Sequence, residues 1–397
     1  MSILIGILGI MVFLGIAFLM SNKKKEINFK AVGILFGLQL VATVFMLKTT
    51  VGMKIIEGIS NGVAKVMGYA GDGIEFVFGG LMFQDGASVF FINVLLIMVF
   101  TSTVLSILTY IGVLPLGIKY VGGLLSKITG LPKVETFTAV SSMFFGQSES
   151  LLAIKGQFPK LTNNRMFIVS TSAMASVSAS IIGSYMTMLE PKYILIAMVL
   201  NMFNGLIIAS IVSPVGKDFQ DDDVDTKELQ KSSGDSLFDA ISNGALDGGK
   251  VALIIGAMLI AFIGLIAMFN GMFDAIFGLT LQEILGYIFA PFAFLMGVPA
   301  ADVLNVGNLM GTKLVANEFV AMLDLVNIKG EMTAKGLGIV TVFLTSFAAI
   351  GSIGMISGTV QAVSGAKGKV VAKFGLKLLF TATIVSLMSA TIVGLFI

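Results

Sequence analysis

Two carboxylates stand near the middle of apolar stretches. Glu149 lies within residues 134–157, and Glu318 lies within residues 301–327. A carboxylate at the centre of a bilayer is costly and is functional by default, although a loop tip in solvent is the alternative. Gln147 offers amide donors and acceptors that suit a nucleobase or amide edge, whereas a carboxylate suits paired hydroxyls, as in a sugar. These two segments are the first candidates for a binding site.

The composition describes the body that must position these groups. The chain has 397 residues, of which 56% are hydrophobic and 12% are charged, and its mean hydropathy is +0.99. Soluble domains carry about 25% charged residues. Cysteine and histidine are absent, which excludes disulfides and thiol chemistry and removes the commonest metal ligand and general base. The net charge of +2 gives no argument for nucleic acid. We expect an all-α polytopic membrane protein with no metal or other cofactor.

Eight uncharged stretches are long enough to cross a hydrocarbon core of ~30 Å. They are residues 1–22, 31–47, part of 86–118, 166–189, 193–216, 251–273, part of 336–366 and 378–397. The first stretch lacks a basic start and a cleavage site, so it is predicted to be a span and not a signal peptide. Residues 52–68 alternate charged and apolar positions at helical spacing, which predicts an amphipathic helix at the membrane interface.

The distribution of basic residues orients these spans. With eight crossings, 18 of the 25 Lys and Arg residues fall on one side and seven, Lys313 among them, on the other. The positive-inside rule then places the 18 in the cytoplasm and both termini outside. An acidic cytoplasmic loop is expected over 219–236. It is not an EF-hand, because Thr226 and Ser232 stand where the loop glycine and closing glutamate are needed.

Two apolar segments, 134–158 and 301–328, are too short for two full crossings and carry their charge at the centre. Each is predicted to be a re-entrant hairpin, which survives at membrane depth only when it is buried in protein or faces a cavity. Each precedes a span rich in Ser, Ala and Gly, at 163–189 and 336–362, where a helix break is expected. Close helix packing is the alternative explanation of those small residues.

The order of hairpin and broken span occurs twice, on opposite sides of the membrane. This predicts an inverted repeat, with the substrate near the midplane between the two halves. The expected organisation is a set of scaffold helices, a first repeat, a cytoplasmic loop with an interfacial helix, and a second repeat, at 1–85, 86–216, 217–250 and 251–397.

Single polar residues in or near the spans have simpler explanations. Glu190 and Asp302 lie at predicted ends and are expected to reach water. Asn201 and Asn204 are expected to form hydrogen bonds between helices.

Three classes of function fit a polytopic body of this kind. A channel would show a polar or charged ring repeated by symmetry, and none is found. An intramembrane enzyme without His or Cys would need paired acids or a Ser–Lys pair, but Ser148 lies on a tip and Lys155 is seven residues away. Without a phosphate-binding loop sequence, energy would come from an ion gradient. A secondary transporter is favoured.

Several motifs resemble the concentrative nucleoside transporter family, over nearly the whole chain. The similarity is closest to the proton-coupled branch of bacterial nucleoside permeases. The motifs are Gly146-Gln147-Ser148-Glu149, Ala316-Asn317-Glu318-Phe319-Val320-Ala321, the stretches 346–348 and 352–354, Tyr185-Met186-Thr187-Met188-Leu189-Glu190-Pro191, and Ile284-Leu285-Gly286-Tyr287-Ile288-Phe289-Ala290-Pro291.

The resemblance implies an importer in the bacterial cytoplasmic membrane, with eight spans, a homotrimer and an elevator-like movement of a transport domain. It assigns the nucleobase to the first tip and the ribose to Glu318, and it completes the pocket with residues of the second broken span. The implied substrate-binding residues are Gly146, Gln147, Ser148, Glu149, Asn317, Glu318, Phe347, Ala349 and Ser352.

The resemblance also locates a coupling-ion region. Sodium-coupled members place an asparagine four residues before the first tip's glycine, where this chain has Ser142. The rest of the region falls on Phe145, Ser176 and Val177. Without the asparagine oxygen a sodium site is weaker, since hard cations need several oxygen ligands. Proton coupling is therefore expected, with Glu149 or Glu318 as carrier, and sodium coupling is the alternative.

The second broken span departs from the family pattern at two positions. Ala349 stands where an asparagine is usual, and Gly351 replaces a serine. Alanine cannot bond a ribose hydroxyl, and a buried hydroxyl without a partner costs ~1–3 kcal/mol. Deoxynucleosides, or a related solute without ribose, are therefore alternative substrates.

Overall fold

The computed structural model describes residues 2–79, 89–216, 224 and 226–397, and these form helices and no strand. The acidic positions 221–223 and 225 lie outside the described residues. Six helical stretches of the described chain are long and apolar enough to cross a membrane, and four shorter apolar helices accompany them. The expectation of an all-α polytopic membrane fold is confirmed. The number of eight crossings stays a prediction.

The N-terminal part consists of five helices. They are α1 (Ser2–Leu19), α2 (Phe29–Lys48), α3 (Thr50–Phe78), α4 (Ile97–Tyr110) and α5 (Val113–Thr129), with a π-helical turn at Phe91–Leu95 before α4. The stretch predicted as span three is interrupted at Gly112, whose φ of 83° allows the sharp turn into α5. The amphipathic helix expected over 52–68 is longer, because α3 continues to Phe78.

The first hairpin consists of two short helices, α6 (Lys133–Ser141) and α7 (Gln147–Leu152). A broken helix follows, made of α8 (Asn163–Met174) and α9 (Ala179–Met188), and the continuous helix α10 (Pro191–Val212) comes after it. The non-helical residues 142–146 separate the two arms of the hairpin, and residues 175–178 separate α8 from α9. The break expected within 163–189 is therefore present.

Three helices connect the repeats: α11 (Thr226–Ser233), α12 (Leu237–Phe277) and α13 (Leu281–Leu295). The domain boundary expected at residue 250 falls inside α12, a continuous helix of 41 residues. Asp239, Asp247 and Lys250 are exposed on this same helix. α13 had no counterpart in the expected organisation.

The second hairpin and broken helix complete the chain. They are α14 (Val303–Val315), α15 (Glu318–Ile328), α16 (Ala334–Leu344), α17 (Ile350–Val363), α18 (Gly365–Lys373) and α19 (Gly375–Phe396). Residues 316 and 317 form the tip between α14 and α15, and residues 345–349 form the break between α16 and α17. The same order of elements therefore occurs in both halves.

The interior is built on α10 and α19, each of which is 89% buried over its apolar window. α1 packs against α19 and α13. A side chain at Gly9 would meet the Leu295 carbonyl oxygen at 2.0 Å, so only glycine allows this approach. In contrast, only 17% of the apolar window of α12 is buried.

A buried polar contact anchors the base of each hairpin to the start of the broken helix that follows. Arg165 of α8 forms a bidentate ion pair with Glu135 of α6, and both side chains are at least 96% buried. Thr333, the N-cap of α16, donates its amide and hydroxyl to Asp302. The expectation that Asp302 reaches water is wrong, because the carboxylate finds these donors and is 1% exposed.

Candidate functional site

The two helix breaks are in direct contact. The Phe347 amide donates to the Ser176 carbonyl at 3.0 Å, and the Ala179 amide donates to the Phe144 carbonyl at 3.0 Å. The Asn201 amide nitrogen donates to the Thr345 carbonyl at 2.6 Å. These bonds replace hydrogen bonds lost where a helix is interrupted. The expected interhelical roles of Asn201 and Asn204 are confirmed, since Asn204 donates to Ser389.

A cavity of about 250 Å³ lies where the tips and breaks converge. All nine predicted substrate-binding residues line it. The remaining lining residues are Ser178, Ser180, Ile181, Val251, Ile254, Ile255, Met258, Ala316, Phe319, Gly351 and Met355. A mostly apolar cavity with a few convergent polar groups is the usual form of a small-molecule site.

Glu318 begins α15 and is 6% exposed. Its carboxylate accepts a hydrogen bond of 2.9 Å from the hydroxyl of Tyr185 on α9. The Tyr185 ring packs edge-to-face on Phe319, with centroids 5.0 Å apart. Asn317 caps α15 by accepting from the Val320 amide at 3.0 Å. The side chain of Asn317 therefore orients the helix that carries the carboxylate.

The first tip presents its polar groups from the start of α7. The Gln147 side-chain oxygen is buried and has no hydrogen-bond partner among the described residues, while its amide nitrogen lies 3.6 Å from the Met355 sulfur. Ser148 accepts from the Thr359 hydroxyl at 2.9 Å. A buried acceptor without a partner at a cavity wall fits a donor from a ligand.

Glu149 lies where this cavity meets a second one of about 240 Å³. Both cavities are lined by Gly146, Glu149, Ser178 and Ser180. The second cavity is also lined by Phe145 and by hydroxyl and carboxylate side chains of other elements: Ser102, Ser106, Thr109, Ser232, Ser233 and Asp247. The second cavity therefore lies between the first tip and α11.

Three residues of the expected coupling-ion region, Ser142, Ser176 and Val177, are buried, and Phe145 is half-buried. The Ser142 hydroxyl donates to the Ala139 carbonyl at 2.9 Å, and the Ser176 hydroxyl donates to the Ala173 carbonyl at 3.0 Å. Val177 is fully buried, and of the four predicted residues Phe145 alone lines one of the two cavities. In the described chain no group of three or more acidic side chains could hold a metal ion.

Ala349 is the N-cap of α17 and lines the cavity with a methyl group. It makes no side-chain capping bond. Ser352, one turn along, donates to the Phe347 carbonyl. This wall of the cavity therefore offers less hydrogen bonding than an asparagine at 349 would provide.

Sequence reasoning missed the role of Lys313, which it counted only among the basic residues on the outer side of the membrane. Lys313 belongs to α14 and is fully buried. Its ammonium donates to the Phe343 carbonyl and, at 2.7 Å, to the Ser346 hydroxyl. Its spacing could have located it, because a lysine five residues before the tip glutamate lies inside the hairpin and not beyond its end.

Fold and site together define a polytopic helical membrane protein with a central small-molecule cavity between two hairpins and two broken helices. Three consecutive family descriptions match the chain: "Na+ dependent nucleoside transporter N-terminus" at residues 8–81, "Nucleoside recognition" at 91–192, and "Na+ dependent nucleoside transporter C-terminus" at 193–394.

The chain is 40% identical to the purine nucleoside transport protein NupG of Bacillus subtilis, over the full length of both. It is 31% identical to the nucleoside permease NupC of Helicobacter pylori, over 100% of this chain and 98% of that protein. The structure of CNTnw in an inward-facing substrate-bound state matches with a TM-score of 0.94 and 33% identity, over 100% of this chain and 99% of that one.

The chain therefore belongs to the concentrative nucleoside transporter family. It is a membrane transporter and not an enzyme. The resemblance to this family that the motifs showed is confirmed, and the proton-coupled branch stays a prediction.

Proposed function

We propose that this protein imports nucleosides across the bacterial cytoplasmic membrane by secondary active symport. The observation that carries the proposal is the convergence of all nine predicted residues on one cavity between the hairpin tips and the helix breaks. The 40% identity to a purine nucleoside transport protein makes purine nucleosides the first substrates to test.

In this proposal the first tip holds the nucleobase and the second holds the sugar. The unpaired side-chain oxygen of Gln147 accepts from a base donor, and Ser148 and Glu149 add further polar groups. The Glu318 carboxylate accepts hydrogen bonds from sugar hydroxyls while it also accepts one from the Tyr185 hydroxyl. Phe347 lines the same cavity and can stack on a ring.

The coupling ion is a proton, carried by Glu149 or Glu318. The absence of an asparagine at Ser142 supports this choice, as does the engagement of both candidate serine hydroxyls with carbonyls of their own segments. Sodium remains the alternative ion.

The second cavity is the route by which substrate leaves towards the cytoplasm. Its far wall includes Ser232 and Ser233 of α11, on the side where the charge bias places the cytoplasm. Hairpins and broken helices move together past the scaffold in an elevator-like step. Both termini lie outside, in keeping with the packing of α1 against α19.

The assembly is a homotrimer that uses the exposed face of α12. This helix presents large apolar side chains with exposed fractions of 62% to 80%, among them Leu253, Ile260, Ile276 and Phe277. Exposed apolar surface on this scale is covered by lipid or by another subunit.

A second candidate substrate class is deoxynucleosides or nucleoside-like solutes with altered sugars. The observation that favours it is the methyl group of Ala349 at the cavity wall, where the family pattern has an amide.

Uptake into liposomes tests these proposals. Purified protein is given labelled inosine, uridine or deoxyuridine under an inward proton gradient or an inward sodium gradient. Proton-driven uptake of a nucleoside is expected. Sodium-driven uptake would support nucleoside symport but contradict the proton as the coupling ion. No uptake of any nucleoside in either gradient would contradict nucleosides as the substrate class.

A further inference from the structure

A third cavity, of about 620 Å³, lies at the start of α2 and the end of α10. It is lined by residues 25–29, by residues 130–132 between α5 and α6, and by residue 210 and residues 214–216 at the end of α10. Among the described residues it shares no lining residue with the two cavities above. The charge bias places this end of the molecule at the cytoplasmic surface. Small-molecule sites measure about 300–1,000 Å³, so the cavity has room for more than a single ion.

Hydrogen bonds hold the segments around this cavity together. The main-chain amide of Asn22 donates to the Val212 carbonyl at 3.2 Å. The side-chain amide of Asn164, on α8, donates to the Pro214 carbonyl at 2.7 Å, and the side chains of Asn22 and Asn164 bond each other at 2.9 Å. The connection between α1 and α2 is therefore fixed against the end of α10, and the cavity between them has defined walls.

A buried polar group on the cavity wall has no partner. Ser210 of α10 is 5% exposed and lines the cavity, and its hydroxyl forms no hydrogen bond with any described residue. A serine or threonine hydroxyl inside a helix can donate to the carbonyl one turn earlier, as Thr383 and Ser389 of α19 do. A buried hydroxyl that lacks this bond calls for another partner. The unpaired hydroxyl points to a ligand with an acceptor oxygen.

The rim of the cavity is basic. Residues 23–30 contain four lysines and one glutamate, which gives a formal charge of +3. Lys25 is exposed and lines the cavity. Asn28 also lines it, and because its side-chain oxygen caps α2, its NH2 group is the donor left for the rim. The start of α2 adds partial positive charge, since its first main-chain amides lack helical acceptors. This rim suits an anion.

Glu26 places a carboxylate at the same rim, but its charge is compensated. The Lys23 ammonium donates to both carboxylate oxygens, at 3.0 and 3.1 Å. A paired carboxylate still accepts hydrogen bonds from hydroxyl groups. The other side chains on the walls are apolar: Ile27, Phe29, Leu131, Pro132, Pro214 and Val215. A ligand with an anionic group, hydroxyls and an apolar part would match all of these surfaces.

We propose that this cavity binds an anionic glycerophospholipid of the cytoplasmic leaflet, of the phosphatidylglycerol type. The phosphate accepts from Lys25 and Asn28 at the rim, and Ser210 donates to an oxygen deeper in the cavity. The glycerol hydroxyls donate to Glu26, and the apolar part lies along the apolar walls. Basic pockets between membrane helices on the cytoplasmic side bind the head groups of anionic lipids. This inference goes beyond the proposed transport of nucleosides and does not depend on it.

The test is the melting temperature of the purified protein in detergent, titrated with phosphatidylglycerol or with phosphatidylcholine of the same acyl chains. A ligand that binds only the folded state raises the melting temperature. The half-maximal concentration is expected to be about tenfold lower for phosphatidylglycerol. Equal values for the two lipids would overturn the proposal. No nucleoside is present, so failure of the proposed function leaves this result unaffected.

A further titration separates the lipid from a soluble phosphate. Inorganic phosphate and glycerol 3-phosphate are added in place of lipid, with chloride at the same ionic strength as the reference. Neither is expected to raise the melting temperature by more than a small part of the rise with phosphatidylglycerol. A rise as large as that with the lipid would assign the cavity to a soluble phosphate and overturn the lipid assignment.

Lys25→Gln and Lys24→Gln form a matched pair that removes the same charge at adjacent positions. Lys24 does not line the cavity, and its nitrogen lies 5.4 Å from the centroid of the Phe18 ring. Lys25→Gln is expected to raise the half-maximal concentration of phosphatidylglycerol about fivefold to tenfold, and Lys24→Gln less than about twofold. Equal changes would show general attraction between charges and overturn a site at Lys25.

Ser210→Ala removes the unpaired hydroxyl. Without lipid the variant is expected to melt no lower than the unmodified protein, because a buried hydroxyl without a partner does not stabilise the fold. With phosphatidylglycerol its half-maximal concentration should rise about threefold to fivefold. Ser170→Ala on α8 is the control, since that hydroxyl is also buried and unpaired among the described residues but does not line this cavity. Unchanged lipid binding by Ser210→Ala would contradict the proposed site.

Discussion

The main-chain amide of Phe347 donates to the carbonyl oxygen of Ser176 at 3.0 Å, so the break in one repeat is held directly against the break in the other. Phe347 lines the substrate cavity and Ser176 belongs to the expected coupling-ion region. The contact is made by backbone atoms and does not depend on side-chain identity. We expect the two breaks to move as one unit, which links the substrate cavity to the region beside the first tip.

Glu318→Gln is expected to abolish uptake while the protein still folds. The amide can accept from Tyr185, but its NH2 group faces donors of the sugar, and a buried donor without an acceptor costs ~1–3 kcal/mol. Uptake in liposomes should fall by about a hundredfold, with an unchanged elution volume in detergent. Glu190→Gln alters an exposed carboxylate and is the control. Near-normal uptake by Glu318→Gln would contradict a role of Glu318 in substrate binding.

Ala349→Asn is expected to favour ribonucleosides over deoxynucleosides. The asparagine amide would reach the cavity from the N-cap of α17 and bond a ribose hydroxyl. One such bond is worth ~1 kcal/mol, or about fivefold in the ratio of affinities. Competition of uridine and deoxyuridine for uptake measures that ratio. An unchanged ratio would mean that the ribose hydroxyl already has another partner.

Local composition was sufficient to predict where the helices are interrupted. Tips with Glu149 and Glu318 interrupt apolar runs, and the small residues at 170–180 and 346–354 mark interruptions that the structure contains. These features are local, since a charge within an apolar segment is costly and glycine and serine lower the helix propensity of the segment that carries them.

Features that depend on distant partners were not predictable in the same way. Lys313 and Asp302 were placed towards solvent because their partners, Phe343 and Thr333, lie about thirty residues away along the chain. The continuity of α12 through residue 250 was also missed, because exposed charges on a long helix resemble those of a loop.

Tyr185→Phe is expected to weaken binding of ribosides by about fivefold to tenfold, corresponding to one hydrogen bond of ~1–1.5 kcal/mol. The ring would keep its edge-to-face contact with Phe319, so the fold should be retained. Calorimetry with a riboside and with the free nucleobase separates the effects. The riboside should lose affinity and the base should not. An equal loss for both would place Tyr185 outside sugar recognition.

Arg165→Met is expected to destabilise the fold through the base of hairpin one. The variant leaves the carboxylate of Glu135, 1% exposed, without its bidentate cation, and breaking a buried pair in this way costs ~3–5 kcal/mol. Lys192→Met breaks the exposed pair with Glu190, in which the side chains are 48% and 52% exposed, and should cost less than ~1 kcal/mol. Thermal melts in the same detergent compare the two variants. The first should melt well below the unmodified protein and the second close to it. Equal melting temperatures would show that the buried pair does not hold the hairpin to α8.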